Sequence, residues 1–284
     1  MSEFSFLNLN GKIFPVGGKY FPSTNRAFRY GDGLFEGMRL MSGEILFFEN
    51  HMERLFDGMH ALQLSIPENF SSAYFFTLIT ELLRANKILN DVLIRIQVFR
   101  SGEGLYEPTT NEIEFLIELL PAPADGFIWN EKGISVGIFS EWKKELNPSM
   151  SFKTSNSLVY VMGSLWKKKN NLDDALIVNA AGNICDATSS NVFFWKNKKL
   201  FTPVLSDGAV RGITRKNLIA FCHAQNISIT EKSISENELL NADEIFLTNI
   251  SKGIRKVEAL NGKQFSNEMT KELALDFYNT LQKK

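Results

Sequence analysis

Short apolar segments separated by polar turn residues open the chain. Residues 4–16 form two such segments around the turn pair Asn10-Gly11, which predicts a tight hairpin. A second hairpin is predicted over residues 40–48. Between them, residues 29–40 hold three glycines, two arginines and two acids. Glycines at this density allow a positive φ or a close backbone approach, and the alternative is a plain loop.

The spacing then changes to the period of a helix. Apolar residues three and four positions apart predict an amphipathic helix over residues 49–64 and a second over residues 71–87. Strands are predicted over residues 91–99 and 113–120. The glycine-bearing loop that joins them can present Arg95, Arg100 or Tyr106 to a ligand. This first part of the chain therefore combines helices with a sheet.

A stretch rich in proline and alanine follows and marks a change in pattern. Residues 121–126 carry two prolines and a glycine, so we place a domain boundary there and expect domains 1–121 and 122–284. The second part contains short strands, a helix from Thr214 to about Ala224 and a closing helix over 269–281. After the boundary the pattern is therefore richer in strands than before it.

Composition excludes several classes of protein. The formal net charge of −1 and the scattered basic residues offer no field for nucleic acid. The two cysteines, Cys185 and Cys222, lack metal-ligand spacing, so neither a disulfide framework nor a metal site is expected. Residues 1–5 lack the features of a signal peptide, and no apolar run reaches membrane-spanning length. A cytoplasmic protein is expected.

Lys153 is the candidate for covalent chemistry. It precedes apolar positions at helical spacing, Leu158 to Trp166, which predict a helix beginning near Ser155 with one face buried. An amine that is desolvated against an apolar face loses its proton more readily and can then attack a carbonyl. The alternative is an ordinary solvated lysine that flanks a helix.

Five short motifs, in order, resemble one family. They are Tyr30-Gly-Asp-Gly-Leu-Phe-Glu-Gly, His51-x-x-Arg54-Leu55, Lys153-Thr-Ser-Asn156, Asp186-Ala-Thr-Ser-Ser-Asn191-Val-Phe and Arg211-Gly-Ile-Thr-Arg215. Together they resemble the class IV aminotransferases, the fold-type IV pyridoxal-phosphate enzymes. These include branched-chain aminotransferases, D-amino-acid aminotransferases and aminodeoxychorismate lyases. The resemblance implies a two-domain homodimer that acts on small molecules. Its implied fold class is α+β, with an N-terminal α/β sandwich and a C-terminal β-rich pseudo-barrel with flanking helices.

The resemblance also implies roles for individual residues. Lys153 would carry pyridoxal 5'-phosphate as a Schiff base and move the proton at the substrate α-carbon. Arg54, for which a surface pair with Glu53 or Asp57 is the alternative, would bind the phosphate. The other implied cofactor contacts are Asp186, Gly212, Ile213, Thr214, Asn249 and Ile250. The implied substrate contacts are Tyr30, Phe35, Arg39, Arg95 and Tyr106.

Two positions depart from the family pattern. Asp186 stands where a glutamate usually faces the ring nitrogen of the cofactor, and it is one methylene shorter. Asp186 can face the ring nitrogen only if the backbone lies nearer the ring or a water molecule bridges the gap. The alternative is that Asp186 is a turn residue. Ser157 stands where branched-chain aminotransferases have a tyrosine, and the group that replaces this tyrosine stays open.

Three functions remain open from the sequence. A transaminase specific for branched-chain-like amino acids is favoured by Gly37-Met-Arg39 and by the abundant phenylalanine, which suits an apolar pocket. A lyase that releases pyruvate and 4-aminobenzoate from aminodeoxychorismate is favoured by Thr248-Asn249 and by Leu93, where branched-chain enzymes tend to have a tyrosine. A cofactor-free binding module is disfavoured because a scaffold needs neither Lys153 nor Arg54.

Overall fold

The computed structural model describes residues 4–89 and 91–282, which form two compact units. The first unit contains the described residues up to Pro123 together with Phe152–Asn156. The second contains Ala124–Ser151 and the described residues from Ser157 onward. The division into domains 1–121 and 122–284 stays a prediction, and it differs from these units in the assignment of the segment that carries Lys153. Residues 1–3, part of the stretch compared with signal peptides, lie outside the described residues.

The first unit is built on an antiparallel sheet of six strands. Its elements are β1 (Phe6–Leu9), β2 (Lys12–Pro15), α1 (Arg26–Tyr30), β3 (Gly33–Met41), β4 (Glu44–Ile45), α2 (Phe48–Ala61), α3 (Ser72–Ala85), β5 (Val92–Arg100) and β6 (Ile113–Pro121). The strands lie in the order β2-β1-β6-β5-β3-β4.

One face of this sheet is covered by α2 and α3. Alternate residues of β3, β5 and β6 share an apolar core with the two helices, among them Met38, Ile94 and Ile117 with Met52 and Phe75. Side chains alternate across a strand, so Phe35, Arg95 and Gln97 lie on the opposite face. The residues of β3 and β5 that face away from this core are therefore the ones available to a functional site.

The second unit is built on a mixed sheet. Its elements are β7 (Ile134–Lys144), α4 (Leu158–Lys169), β8 (Asp174–Asn179), β9 (Ile184–Ala187), β10 (Asn191–Lys196), β11 (Lys199–Pro203), α5 (Ile213–Ala224), β12 (Ile229–Lys232), α6 (Glu236–Leu240), β13 (Glu244–Asn249), β14 (Gly253–Leu260), β15 (Lys263–Gln264) and α7 (Glu268–Gln282). The order is β12-β11-β10-β13-β14-β7-β8-β9, and β15 pairs with β14.

Strand β8 is buried on both faces and organises this unit. Leu176 and Val178 pack into one apolar cluster with β10 and β13, whereas Ala175 and Ile177 pack into another against α4. A strand buried on both sides reads as a continuous apolar run, as Ala175–Val178 does. The expected α+β class, with helices and strands in both units, is confirmed.

The glycine-bearing stretch, for which a plain loop was the alternative, is mostly strand. Residues Gly33–Met41 form β3, which pairs with β5 over eight residues. Leu34, Met38 and Leu40 lie at alternate positions of β3 and enter the core, so burial outweighs the weak strand propensity of glycine. Only Gly31, at φ +65 and closing α1, uses the left-handed conformation in this stretch.

The helix expected from Ser155 begins at Leu158. Thr154 bridges to Leu34, and Ser155 N–H donates to Gly33 O at 2.8 Å, which holds the preceding residues extended. The buried face also differs from the expected one, because α4 packs through Val159, Tyr160, Met162 and Trp166. The side chains of Leu158, Val161 and Leu165 are exposed. Among the described residues, none of the helices has the length and apolar character needed to cross a bilayer.

Candidate active site

Lys153 lies in an extended segment beside β3 of the first unit. Phe35 N–H donates to Lys153 O at 2.8 Å, and Ser155 N–H donates to Gly33 O at 2.8 Å. These two hydrogen bonds hold the backbone on both sides of the lysine. A reactive side chain gains precision when its backbone is held by regular strand hydrogen bonds.

The side chain of Lys153 lies against the ring of Phe35. Its Nζ is 4.6 Å from the ring centroid, and the Arg95 guanidinium carbon is 4.1 Å from the same centroid. Arg95 Nη2 donates to Gln97 Oε1 at 2.9 Å, and Gln97 Nε2 donates to Ser155 Oγ at 2.6 Å. We call these five residues the lysine group. Its members Gln97 and Ser155 were not predicted, although Gln97 lies two positions from Arg95 and therefore on the same strand face.

A second set in the first unit surrounds Arg54. Its guanidinium donates to both Glu36 oxygens, Nε to Oε1 at 2.7 Å and Nη2 to Oε2 at 2.7 Å, and His51 Nδ1 lies 2.7 Å from Glu36 Oε2. All three side chains are buried. Arg54 is therefore not a surface residue. We call this set the arginine group, and Glu36 is its unpredicted member.

Burial and the contacts within the arginine group determine the charge states of Glu36 and His51. Burial by itself would raise the pKa of Glu36, but the charge of Arg54 and the hydrogen bonds from His51 and Arg54 outweigh burial and lower that pKa to about 2. Burial lowers the pKa of His51, helped by the charges of Arg54 and Lys153 and opposed by Glu36. His51 is therefore neutral, and its Nδ1–H donates to the acceptor-only carboxylate.

The neutral state of His51 predicts a pH-dependent stability. Below pH 6.5 the unfolded chain binds a proton that the folded ring does not, so the free energy of unfolding should fall as pH decreases from 6.5. Urea unfolding at pH 7 and pH 5.5 measures this slope. His51→Gln should flatten it, whereas His60→Gln, at an exposed position of α2, should leave it unchanged. An equal slope in wild type and His51→Gln would contradict the assignment.

Two arginines considered for the substrate have structural roles. Arg39 is 0% exposed, and its guanidinium binds Asp91 and donates to Pro123 O at 3.0 Å. Arg100 binds Asp32 at 3.0 Å and donates to Leu62 O at 2.7 Å. The role of Arg39 as a substrate contact stays a prediction, and its guanidinium is buried with Asp91. Arg95 retains partial exposure.

Two predicted substrate contacts, Tyr30 and Tyr106, lie near each other. Their rings are 5.7 Å apart, and Arg26 lies 5.0 Å from the Tyr30 ring. Arg26 also donates to Leu105 O at 2.7 Å, which fixes the loop that carries Tyr106. The side chain of Tyr106 is 89% exposed. Their role toward a substrate stays a prediction.

In the second unit, Asp186 receives donors from several elements. Lys144 Nζ donates to its Oδ2 at 3.1 Å, Tyr160 Oη to Oδ2 at 2.9 Å and Asn191 Nδ2 to Oδ1 at 3.0 Å. The backbone N–H of Val210 also donates to the carboxylate. Asp186 lies in β9 and is buried, so the alternative of an exposed turn residue is excluded. We call Asp186, Lys144, Tyr160 and Asn191 the aspartate group.

The start of α5 presents the features of an anion site. Gly212 caps this twelve-residue helix without a side-chain hydrogen bond, so the first N–H groups have no partner within the helix. The hydroxyl of Thr214, in the first turn, is buried and lacks a hydrogen-bond partner among the described residues. The hydroxyl of Thr248, in β13, is also buried and also lacks a hydrogen-bond partner among the described residues. Buried hydroxyls are normally satisfied, and a helix start favours an anion, so these features point to a bound ligand.

Gly212 is required by close packing against Asn191. A Cβ at this position would lie 1.8 Å from Asn191 Oδ1. Gly212→Ala should therefore displace Asn191, destabilise the protein by about 1–3 kcal/mol and weaken phosphate binding. Thermal unfolding and phosphate titration measure both effects. Since the conflict lies with one side chain, Gly212→Ala added to Asn191→Ala should cost little more. Additive losses would show that the conflict lies elsewhere.

Asn249 shapes its own turn. Its Oδ1 accepts from Ser251 N at 3.0 Å and from Lys252 N at 2.7 Å, and its Nδ2 donates to Ser190 Oγ at 3.0 Å. Its side chain therefore fixes the backbone of the turn after β13, which includes Ile250. A direct cofactor contact by either residue stays a prediction.

The chain is similar to known proteins over most of its length. A family model described as amino-transferase class IV matches residues 33–260. The chain belongs to the class IV aminotransferases. A protein of Methanocaldococcus jannaschii named "Putative branched-chain-amino-acid aminotransferase" is 28% identical over 279 residues, which cover 95% of this chain and 94% of that protein. Aminodeoxychorismate lyase of Vibrio harveyi is 25% identical over 247 residues, which cover 86% of this chain and 88% of the lyase.

A solved structure shares the fold of this class IV aminotransferase. The branched-chain amino acid aminotransferase of Thermobaculum terrenum, in its holo form with PLP, gives a TM-score of 0.86 at 23% identity, over 99% of this chain and 94% of that one. Membership of the family implies an enzyme that uses pyridoxal phosphate. The buried hydroxyls of Thr214 and Thr248 and the open start of α5 fit the phosphate of such a cofactor.

Proposed function

We propose that this chain is a pyridoxal-phosphate-dependent aminotransferase that moves an amino group between a branched-chain-like amino acid and a 2-oxo acid. The observation that carries the proposal is the lysine group, in which an amine and a guanidinium lie against one aromatic ring. A reaction of amino acids needs an attacking amine, a cation for the carboxylate and an apolar surface for the side chain. The lysine group supplies all three.

The cofactor supplies an aldehyde that accepts an amino group and a ring that withdraws electrons from the substrate α-carbon. Lys153 would bind the cofactor covalently through Nζ. Once released by the amine of the substrate, the same Nζ would act as the base that takes the proton from the α-carbon.

The family resemblance gives two candidate phosphate contacts, Arg54 in the first unit and the start of α5 in the second. The Glu36 carboxylate accepts hydrogen bonds from Nε and Nη2 of Arg54. These two bonds fix the plane of the guanidinium before any ligand arrives. Ile213 and Thr214 would offer backbone N–H groups, and the Thr214 hydroxyl would gain the partner that it lacks in the protein. Asp186 would act on the ring nitrogen.

Arg95 would bind the carboxylate of the substrate. Of the three arginines considered, Arg39 and Arg100 are committed to protein carboxylates and carbonyl groups, whereas Arg95 lies beside Lys153 and remains partly exposed. Its contact with the acid Glu118, at 3.5 Å, is a loose one. Phe35 would form a wall for an aliphatic side chain, with Tyr30 as a further candidate.

A lyase acting on aminodeoxychorismate is the second candidate. It is favoured by the relative from Vibrio harveyi and by Leu93, which lies two positions before Arg95 and offers no hydroxyl on that face of β5. The two reactions share Lys153 and the phosphate contacts. They differ in whether a second substrate takes the amino group or the substrate loses pyruvate.

The experiment is a direct comparison of the two reactions on protein saturated with pyridoxal phosphate. Leucine, isoleucine and valine with 2-oxoglutarate test the transaminase, and release of pyruvate from aminodeoxychorismate tests the lyase. D-Alanine with 2-oxoglutarate tests the preference for L substrates. Glutamate formation from the branched-chain donors is expected. Pyruvate release without glutamate formation would replace the transaminase with the lyase, and neither product would overturn both.

The enzyme would work as a homodimer. Three large apolar side chains of the first unit, Phe28, Leu105 and Tyr106, are 85%, 75% and 89% exposed. Side chains of this size are seldom left in water together, so a second copy of the chain is the proposed cover. Light scattering should give twice the mass of 32.2 kDa, and a monomer at assay concentration would contradict the proposal.

A further inference from the structure

A second buried lysine lies beside the acid that the proposed function assigns to the ring nitrogen. The side chains of Lys144 and Asp186 are 2% and 3% exposed, and Lys144 Nζ lies 3.1 Å from Asp186 Oδ2. The same Nζ donates to Met150 O at 3.2 Å and also to Gly208 O and Tyr160 Oη. The ammonium group therefore has a full set of acceptors. An ion pair so thoroughly bonded is held in one geometry rather than exchanging with solvent.

The carboxylate of Asp186 is equally well satisfied. Oδ2 accepts from Lys144, Tyr160 and Val210 N–H, and Oδ1 accepts from Asn191 and Val210 N–H. Asn191 Nδ2 also donates to Val210 O at 2.8 Å, so it joins the carboxylate to the turn that precedes α5. A carboxylate offers about four lone-pair positions, and protein donors already use them.

The charges within the aspartate group balance without any ligand. Burial and the charge of Asp186 hold the pKa of Tyr160 well above its usual range, so the hydroxyl stays neutral and donates. Burial likewise raises the pKa of the Cys185 thiol, which stays protonated. The remaining charged group that acts on Cys185 is Asp207, which lies beyond the Gly208 turn. Within the aspartate group, one ammonium and one carboxylate sum to zero.

This balance changes what Asp186 does to a cofactor. A bare buried carboxylate strongly favours a proton on a nearby ring nitrogen, because the pyridinium is its only counter-ion. A carboxylate that already has an ammonium partner and saturated lone pairs gains much less from that proton. The ring would then be only partly protonated at neutral pH and would withdraw electrons less strongly.

We propose that Lys144 is a positioning residue of the cofactor site, whose ammonium group pairs with Asp186 and so weakens the hold of that acid on the proton of the cofactor ring nitrogen. The inference rests on the proposed function, since it takes Asp186 as the partner of the ring nitrogen. It assigns to Lys144 an effect on the electronic state of the cofactor beyond its structural salt bridge.

The test measures the ring nitrogen directly in the intact holoenzyme. The protein is loaded with pyridoxal phosphate carrying ¹⁵N in the ring, and the ¹⁵N chemical shift is followed from pH 6 to 9. In the wild type the shift should move between its protonated and unprotonated values within this range. In Lys144→Met it should stay at the protonated value to higher pH. Lys144→Arg, which keeps the charge, and Lys143→Met, at an exposed position on β7, should both resemble the wild type.

Stability separates this effect from a merely structural role. Lys144→Met leaves a buried carboxylate unpaired and should lower the unfolding temperature of the apoprotein, whereas Lys144→Met with Asp186→Asn removes both charges and should recover part of the loss. In that double variant the ring nitrogen should be unprotonated at neutral pH. A destabilised Lys144→Met with a wild-type ¹⁵N titration would make Lys144 structural only and overturn the proposal.

If Lys144→Met does not fold, the ¹⁵N titration of the wild type still tests the proposal. A wild-type ring nitrogen that stays protonated throughout pH 6–9 would overturn the inference while leaving the proposed function intact. A protein that binds no labelled cofactor at all would instead overturn the proposed function.

Discussion

Lys153→Ala is expected to abolish transamination. The variant loses both the covalent attachment of the cofactor and the base at the substrate α-carbon. General-base catalysis alone contributes roughly a hundred- to ten-thousandfold, so a loss of about a thousandfold or more in kcat is expected. The measurement is the steady-state rate with the best branched-chain donor and 2-oxoglutarate. Borohydride reduction followed by intact-mass analysis should add a phosphopyridoxyl group to the wild type and not to the variant.

Lys169→Ala is the matched control for this experiment. Lys169 is an exposed lysine at the end of α4, so its removal changes the net charge equally and touches none of the groups described above. It should keep the wild-type rate and the added mass. A Lys153→Ala protein that keeps the added mass would show that another lysine carries the cofactor.

Glu36→Gln is expected to destabilise the first unit by about 3–5 kcal/mol, because it leaves the Arg54 guanidinium buried without its carboxylate. Glu36 accepts both Arg54 hydrogen bonds at 2.7 Å and one from His51. Urea unfolding at pH 7 measures the loss, and the affinity for pyridoxal phosphate should fall with it because Arg54 is no longer held in one orientation. Glu44→Gln, at an exposed site in β4 of the same sheet, should change neither quantity.

The pH dependence of Glu36 gives an independent check. Its folded pKa of about 2 lies below the ordinary value of 4.5, so its contribution to stability is complete above pH 4.5 and is lost as pH falls toward 2. Stability of the wild type should therefore decrease through this window more steeply than that of Glu36→Gln. Parallel curves would mean that the carboxylate is not held by Arg54 in solution.

Sequence reasoning succeeded where a local pattern carries the information. The structure contains the hairpin predicted at Asn10-Gly11 and the two helices predicted before residue 90. It also contains the helix predicted from Thr214, which begins at Ile213. The short helix α6 was missed although Ser235 and Glu238 form a capping box, a signal that is readable in the sequence. The predicted start of α4 was wrong because strand-like hydrogen bonds keep Thr154 and Ser155 extended. Their partners, Gly33 and Leu34, are more than a hundred residues away in the sequence.

The sequence by itself determined the family and the order of its motifs, and it predicted the reactive lysine at 153, since these depend on residue identity and spacing. Only the tertiary structure decided which charged side chains are available. It showed that Arg39 is buried with Asp91 while Arg95 lies beside Lys153, and that Lys144 lies next to Asp186 across 42 positions of sequence. Alternation along a strand divides its residues between two faces, but only packing decides which face is covered. A buried charge takes whichever partner the fold brings within hydrogen-bond distance.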